Sequence, residues 1–143
     1  MHPFRTVFAF AAIAAMVAIP LAASAADLRV AVSDGPAVPA TLYVALFDSA
    51  DALTADKALA AQTLPMRDGK AQLVFAGLPP GRYVLKSFAD ENGNGKLDAN
   101  LVGVPIERYG FSNDARGRMG PPSFDAAAVP LEAADSSIAL RLH

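Results

Sequence analysis

The feature that most constrains this sequence of 143 residues is a series of short strand-like runs separated by turn residues. In the first run, Leu28, Val30 and Val32 alternate with other residues, which is the two-residue period of a half-buried strand. Asp68-Gly69 stands between two later runs and is typical of a hairpin, because its turn requires positive φ. The runs cover residues 28–32, 41–48, 62–66, 70–75, 82–89, 126–131 and 137–142. They predict an all-β fold, a single antiparallel seven-stranded β-sandwich of immunoglobulin-like or prealbumin-like type.

The same runs predict which side chains form the core. Pro130 indicates an edge position for the sixth strand, because proline lacks the N–H that a central strand needs. Between the second and third runs, Ser49 and Thr54 favour one or two short helical turns, and a plain loop is the alternative. The side chains expected to be largely buried are Tyr43, Val44, Leu46, Phe47, Leu73, Phe75, Leu85 and Ile138.

The N-terminal residues predict a signal peptide at residues 1–25, followed by one domain at residues 26–143. Arg5 supplies positive charge, residues 7–21 are almost wholly apolar, and Ala23-Ser24-Ala25 fits a signal peptidase site. An uncleaved membrane anchor is the alternative, but an apolar run of about 15 residues is short of the ~20 that span a bilayer. We therefore expect a periplasmic or secreted protein that is not embedded in a membrane after cleavage.

Composition narrows the possible partners. The chain has no cysteine, so we expect neither disulfides nor a lipid anchor attached through cysteine. It carries 12 basic and 14 acidic residues, and removal of Arg5 with the leader leaves 11 and 14, a net charge of −3. This mildly acidic balance argues against a nucleic-acid partner. A small ligand, a glycan or an envelope protein remain as possible partners.

One long polar stretch, residues 90–125, predicts a functional loop, since a connection of this length is uncommon without a role. Asp90, Asn92, Asn94 and Asp98 occupy positions 1, 3, 5 and 9 of a calcium loop, with Gly95 at position 6. The carbonyl of Lys96 would supply a further oxygen at position 7. A Ca²⁺ site is therefore expected here.

The calcium motif is incomplete, and other interpretations stay open. Leu101 stands at position 12, where such loops carry a bidentate glutamate, and Glu107, Asp114 or Asp125 would have to replace it. The Asn-Gly pairs also suit turn formation alone, because both residues accept positive φ. Another ion is the third possibility.

Arginines and aromatic residues follow in the same stretch. Arg108, Arg116 and Arg118 either bind an anion or, as we expect, pair with Asp90, Glu91, Asp98 or Glu107 and order the loop. Tyr109, Phe111 and Phe124 either form a sugar- or partner-binding surface or, as we expect, anchor the loop on the domain.

The sequence does not predict an enzyme. Without the leader, His143 is the one histidine, and neither a cysteine nucleophile nor a Gly-x-Ser-x-Gly motif is present. Zinc is not expected from such a composition. Glu91 and Glu107 leave a carboxylate-based hydrolase open as an alternative, although nothing in their spacing singles them out.

The long stretch contains the motifs Asp90-Glu91-Asn92-Gly93-Asn94-Gly95-Lys96-Leu97-Asp98, Gly103-x-Pro105, Glu107, Tyr109-Gly110-Phe111-Ser112-Asn113, Ala115-Arg116-Gly117 and Gly120-Pro121-Pro122-Ser123-Phe124. In these residues it resembles the bacterial family catalogued as domain of unknown function 2141. That resemblance extends upstream through residues 43–48 and 78–88, and it implies an exported, sandwich-like domain without an established activity. A shorter segment, Leu78-Pro79-Pro80-Gly81-Arg82-Tyr83, is similar to turns of transthyretin-like and carboxypeptidase-regulatory-like sandwiches.

Three functions are consistent with these features. The first is a non-enzymatic exported module whose loop binds calcium and presents a small binding surface. The second is a hydrolase that uses carboxylates and arginines of the same loop. The third is a structural envelope or adhesion module, for which a large exposed apolar patch would be evidence.

Overall fold

The computed structural model describes residues 24–143, which are mostly β and form two open sheets around a shared apolar core. The predicted leader at residues 1–25 lies outside the described residues except for Ser24 and Ala25. The strands are β1 Ala26–Ser33, β2 Ala40–Phe47, β3 Ala60–Met66, β4 Ala71–Leu78, β5 Gly81–Asp90, β6 Tyr109–Phe111, β7 Val129–Leu131 and β8 Ser136–Arg141. Two short helices, α1 Ala50–Thr54 and α2 Phe124–Ala127, and a 3-10 turn at Ser112–Asp114 complete the chain.

The strand order places sequence-distant segments side by side. One sheet has the order β4-β1-β8, and the other has the order β3-β2-β5-β6, with β7 paired to the first residues of β5. Strand β5 lies inside the second sheet and ends at Asp90, where the long polar stretch begins. The candidate site therefore begins at the end of an inner strand of the second sheet.

Two parts of the predicted fold were wrong. The described chain has eight strands rather than seven, because β6 is only three residues long and too short to show a two-residue period. The fold is also not wholly antiparallel, since β1 and β8 pair in parallel from Leu28 opposite Ser136 to Ser33 opposite Arg141. Alternation reports which face a side chain takes and carries no information on strand direction.

The Asp68-Gly69 turn forms as predicted, but the two strands it joins separate into different sheets. Asp68 and Gly69 have φ of 52° and 67°, and the Lys70 N–H donates to the Arg67 carbonyl at 3.0 Å. Beyond this turn β3 pairs with β2, whereas β4 pairs with β1. The turn therefore connects the two layers, and it is not the tip of a continuous hairpin.

Six of the eight predicted core side chains are buried, and Tyr43 and Ile138 are only half-buried. Tyr43 lies on the outer face of its sheet, where its ring stacks on Phe88 with centroids 4.9 Å apart. Ile138 lies on β8, an outer strand of its sheet. The pattern therefore identified apolar faces correctly but did not reveal which of them a second layer covers.

A second, smaller core fixes the end of the long stretch. Phe47, Val84, Phe111 and Ala127 are buried together on the outer side of the second sheet. Ala127 belongs to α2, so the predicted strand at residues 126–131 begins with a helical turn, and only Val129–Leu131 is strand.

The side chain of Ser49 caps α1 as predicted, accepting the Ala52 N–H at 3.1 Å. Within residues 24–143, no helix has the length and apolar character needed to cross a membrane.

Candidate functional site: the Asp/Asn loop at the end of β5

The site begins with Asp90, the last residue of β5, whose side chain folds into the loop that follows it. One carboxylate oxygen accepts the Gly93 N–H at 2.8 Å, and the other accepts the Gly95 N–H at 2.7 Å. Gly93 and Gly95 have φ of 77° and 73°, the left-handed region that favours glycine. Asp90 is only 2% exposed, so this carboxylate orders the first turn of the loop from inside.

Two opposed effects act on the ionisation of Asp90. Burial by itself raises the pKa of the carboxyl group, but N–H groups of Gly95, Gly93, Asn94 and Asn92 point at the carboxylate and outweigh it. The pKa of Asp90 is therefore lowered from its ordinary value of 3.8, because the charged form accepts more hydrogen bonds. Asp90 thus stays ionised at neutral pH.

Three further predicted ligands form one side-chain cluster. The amide nitrogen of Asn94 lies 2.8 and 2.9 Å from the two carboxylate oxygens of Asp98, and the amide nitrogen of Asn92 also donates to Asp98. The amide oxygens face the backbone instead, where Asn92 accepts the Asn94 N–H at 3.1 Å and Asn94 accepts the Lys96 N–H at 2.9 Å. Positions 3, 5 and 9 of the predicted loop are therefore in direct contact.

Glu107 lies outside the motif but closes the loop. Its carboxylate accepts the Glu91 N–H with one oxygen and the Asp98 N–H with the other, both at 3.0 Å. The side chain is 7% exposed. The sequence left open that Glu107 folds back toward the loop, and it does so, but both of its oxygens accept backbone N–H groups.

The donor set is compatible with a hard cation, although it is low in charge. Every side chain at positions 1, 3, 5 and 9 carries oxygen, the ligand type that calcium prefers. For Asn92 and Asn94 to present their oxygens to an ion beside Asp98, each amide would turn by half a revolution and give up its bond to the backbone. In residues 24–143 no group of three or more His, Asp or Glu side chains is placed to hold a metal. Any ion here would therefore depend on amide and carbonyl oxygens as much as on carboxylates.

The arginines do not make the ion pairs that the sequence suggested, so that prediction was wrong. Arg108 donates to the backbone carbonyl of Asp34 at 3.1 Å, and Arg116 contacts the ring of His143. Arg118 is exposed. The carboxylates of Asp90, Asp98 and Glu107 accept backbone and amide N–H groups in place of an arginine.

His143 and Asp114 form a separate polar contact beside the loop. The His143 Nε2 lies 2.6 Å from a carboxylate oxygen of Asp114. This hydrogen bond is the main cause that lowers the pKa of Asp114, and the charges of Arg116 and Arg141 act in the same direction against partial burial. The contact joins the C-terminal residue to the 3-10 turn, where Ser112 also accepts the Leu85 N–H at 2.9 Å.

The aromatic residues divide between anchoring and exposure. Phe111 is buried and Phe124 packs against the same small core, as the anchoring interpretation predicts. Tyr109 differs, because it is 37% exposed on β6 opposite Phe88. Tyr43 and Phe88 also line a shallow groove of about 180 Å³ on the outer face of the sheet, next to the Lys86–Asp56 ion pair.

An exposed apolar segment lies in the middle of the long polar stretch, and the sequence patterns did not predict it. Leu101, Val102, Val104 and Ile106 are 107%, 81%, 55% and 67% exposed. The signal was visible as an unbroken apolar run inside a polar stretch, but it has no periodicity and was overshadowed by the Asp/Asn motif. We call residues 101–106 the apolar tip.

The profile described as an uncharacterized protein conserved in bacteria (DUF2141) matches residues 30–139. The chain belongs to this family. The match spans most of both sheets together with the Asp/Asn loop and the apolar tip, and it confirms the resemblance noted from the sequence. No curated protein and no solved structure matches this DUF2141 member.

Proposed function

We propose that this DUF2141 member is a non-enzymatic, exported β-sandwich module whose Asp/Asn loop binds calcium and presents the adjacent segment as a binding surface. One observation carries the proposal. Asn92 and Asn94 both direct their amide groups at the Asp98 carboxylate, while Asp90 is folded into the same turn. Positions 3, 5 and 9 are thus in contact and position 1 lies in the same turn, an arrangement that supports a shared ion if the two amides rotate to present their oxygens.

The predicted role of each residue follows from its chemistry. Asp90 and Asp98 would supply the charged oxygens, Asn92 and Asn94 neutral ones, and Lys96 its carbonyl. Two formal charges and the absence of a position-12 glutamate favour a weak site, with Kd on the order of 10⁻⁴ to 10⁻³ M. Such a site fills where calcium is abundant, which agrees with the expected periplasmic or secreted location.

The alternative of a carboxylate-based hydrolase has less support. Its candidate pair was Glu91 and Glu107, and a general acid or base must reach the substrate to exchange a proton. Both Glu107 oxygens already accept backbone N–H groups, and the side chain is buried. This arrangement suits a residue that holds the loop together, and it supports a binding role over catalysis.

A structural envelope or adhesion role is a second candidate, and the apolar tip favours it. Leu101 is 107% exposed and Val102 81%. Contiguous exposed apolar groups mark interaction sites on soluble domains. Calcium binding and such a surface are compatible, because the cation would order the segment from which the tip projects.

The test of calcium binding is a thermal melt of the wild type in 10 mM calcium and in chelator. A ligand that binds only the folded state adds RT ln(1 + [L]/Kd) to stability, about 1.4 kcal/mol at a tenfold excess over Kd. Asp98→Asn should abolish this shift while leaving the fold intact, since an amide still accepts hydrogen bonds. The matched control is Asp125→Asn, which removes the same charge at an exposed ion pair with Arg82.

The outcomes separate the interpretations clearly. A calcium-dependent shift in the wild type and in Asp125→Asn, but not in Asp98→Asn, supports the proposed site. Identical wild-type melts in calcium and in chelator would mean that the Asn-Gly pairs only form turns and that the loop binds no calcium. Magnesium should stabilise much less, since it requires a tighter octahedral shell than this loop offers.

A further inference from the structure

Two Asn-Gly pairs follow one another in the loop, Asn92-Gly93 and Asn94-Gly95, and their residues are all exposed. The chain has four asparagines, and the other two, Asn100 and Asn113, precede leucine and aspartate. An asparagine followed by glycine is chemically labile, because glycine has no Cβ to keep its backbone nitrogen away from the asparagine side chain. The two asparagines most prone to deamidation therefore lie in the candidate site.

Deamidation of an Asn-Gly pair proceeds in two balanced steps. The glycine nitrogen forms a bond to the asparagine Cγ and loses its proton, while the Cγ–Nδ2 bond breaks and ammonia leaves with that proton. Water then opens the cyclic imide at either of its C–N bonds, which gives aspartate or isoaspartate. The net reaction consumes water and releases ammonia, so it requires no oxidant, cofactor or enzyme.

Ring closure would consume the donors that hold Asp90. The Gly93 N–H donates to one carboxylate oxygen of Asp90 at 2.8 Å, and the Gly95 N–H donates to the other at 2.7 Å. An imide nitrogen carries no hydrogen, so each reacting pair would remove a donor from a carboxylate that is only 2% exposed. Because a buried acceptor without its donor is costly, the folded loop resists the reaction at the glycine nitrogens.

The asparagine side chains are held at both ends as well. The amide oxygen of Asn92 accepts the Asn94 N–H, and that of Asn94 accepts the Lys96 N–H. Both amide nitrogens, which are the leaving groups, donate to Asp98. Each pair is thus fixed at the attacking nitrogen, the amide oxygen and the leaving nitrogen, and deamidation needs a local opening of the loop.

We propose that Asn92 and Asn94 are deamidation sites that the folded loop keeps in the amide form, and that Asp90 and Asp98 are the side chains that keep them so. The inference goes beyond the proposed function, because it does not depend on a bound ion. It also makes the modification one-way. A carboxylate at residue 92 or 94 cannot donate to Asp98, and its charge repels that of Asp98, so a loop that has reacted does not close again in the same form.

Peptide mapping by mass spectrometry tests the sites directly, because trypsin separates the asparagines. Cleavage after lysine and arginine places Asn92 and Asn94 in residues 87–96, Asn100 in residues 97–108 and Asn113 in residues 109–116. The full chain is incubated in chelator at mildly alkaline pH, either folded or in urea, and the mass gain on deamidation is followed in each peptide. Residues 87–96 should react fastest in urea. In the folded protein they should react at least about tenfold more slowly than in urea, because several hydrogen bonds must open first.

Two variants identify the side chains that hold the loop closed. Asp90→Ala and Asp98→Ala should each speed the reaction of residues 87–96 in the folded protein by at least about threefold, since each removes hydrogen bonds from both pairs. Asp125→Ala is the matched control, the same substitution at an exposed residue that pairs with Arg82, and it should react like the wild type. Asp98 is only half-buried, so Asp98→Ala decides the question if circular dichroism shows that Asp90→Ala does not fold.

The one-way step is tested with the product itself. In chelator, Asn92→Asp/Asn94→Asp should melt at a lower temperature than the wild type, because its new carboxylates face Asp98. Asn113→Asp is the control and should melt close to the wild type, since that side chain donates to the backbone carbonyl of Ala126. Equal melting temperatures for the double variant and the wild type would overturn the one-way step.

Four results of the mapping would overturn the proposal. They are equal rates for residues 87–96 in the folded and the urea-treated chain, a rate in urea no faster than at Asn100 and Asn113, a folded Asp98→Ala that reacts like the wild type, and equal acceleration by Asp125→Ala. All samples contain chelator, so none of these outcomes depends on whether the loop binds calcium.

Discussion

The carboxylate of Glu107 accepts the backbone N–H of Asp98 at 3.0 Å, and so ties the end of the Asp/Asn loop to a residue outside it. The second oxygen of the same carboxylate holds the Glu91 N–H at the start of the loop, also at 3.0 Å. One buried side chain thus closes both ends of the segment. The loop is ordered from its base, and the apolar tip projects between Asp98 and Glu107.

We expect Glu107→Ala to lower the free energy of unfolding by about 1–3 kcal/mol, because the N–H groups of Glu91 and Asp98 lose their acceptor. Urea denaturation at pH 7 measures this. Glu132→Ala, at an exposed glutamate away from the loop, should change stability by less than about 0.5 kcal/mol. Equal urea midpoints for the two variants would contradict the closing role of Glu107.

Acid should weaken the loop through Asp90. Because its folded pKa lies below the ordinary 3.8, its contribution is present above that value and is lost as pH falls toward the folded pKa. Asp90→Asn should therefore be less stable than the wild type at pH 7, and the difference should shrink by pH 3. Urea titrations at pH 7, 5, 4 and 3 measure it, with Asp125→Asn as control. A difference that stays constant with pH would refute the assignment.

Gly110→Ala should destabilise the domain by about 1–3 kcal/mol or more, the cost of overpacking. A Cβ at residue 110 would overlap the backbone carbonyl of Arg141, where β6 meets the end of β8. Gly81→Ala is the matched strand glycine, since its added Cβ would make only ordinary contacts, 3.7 Å from the nearest atom. Equal melting temperatures for the two variants would show that β6 can move away from the end of β8 without loss of stability, which would contradict this prediction.

Arg116→Ala should have a small effect, no more than about 1 kcal/mol. The sequence predicted an ion pair with a loop carboxylate, whereas Arg116 is exposed and contacts the ring of His143. Differential scanning calorimetry of this variant and of Glu107→Ala shows which of the two side chains contributes more to the stability of the loop. A larger loss for Arg116→Ala would restore arginine as the residue that orders the loop.

Local patterns predicted that the candidate ligands share one tight loop. The positions of Asp90, Asn92, Asn94 and Asp98 were read from their spacing, since ligand order in a tight loop is a property of consecutive residues. The tight turn at Asp68-Gly69 was predicted for the same reason, because positive φ is a local requirement. Calcium itself stays a prediction, because spacing specifies oxygens and not the ion that they hold.

The sequence by itself determined which faces of the strands are apolar and where the polar loop begins, because side-chain alternation and turn chemistry act between near neighbours. Only the tertiary structure decided that β1 pairs in parallel with β8 and that Glu107 reaches back to Asp98. It also decided that nothing within residues 24–143 covers Leu101 and Val102. These outcomes depend on contacts between residues distant along the chain, which no local pattern encodes.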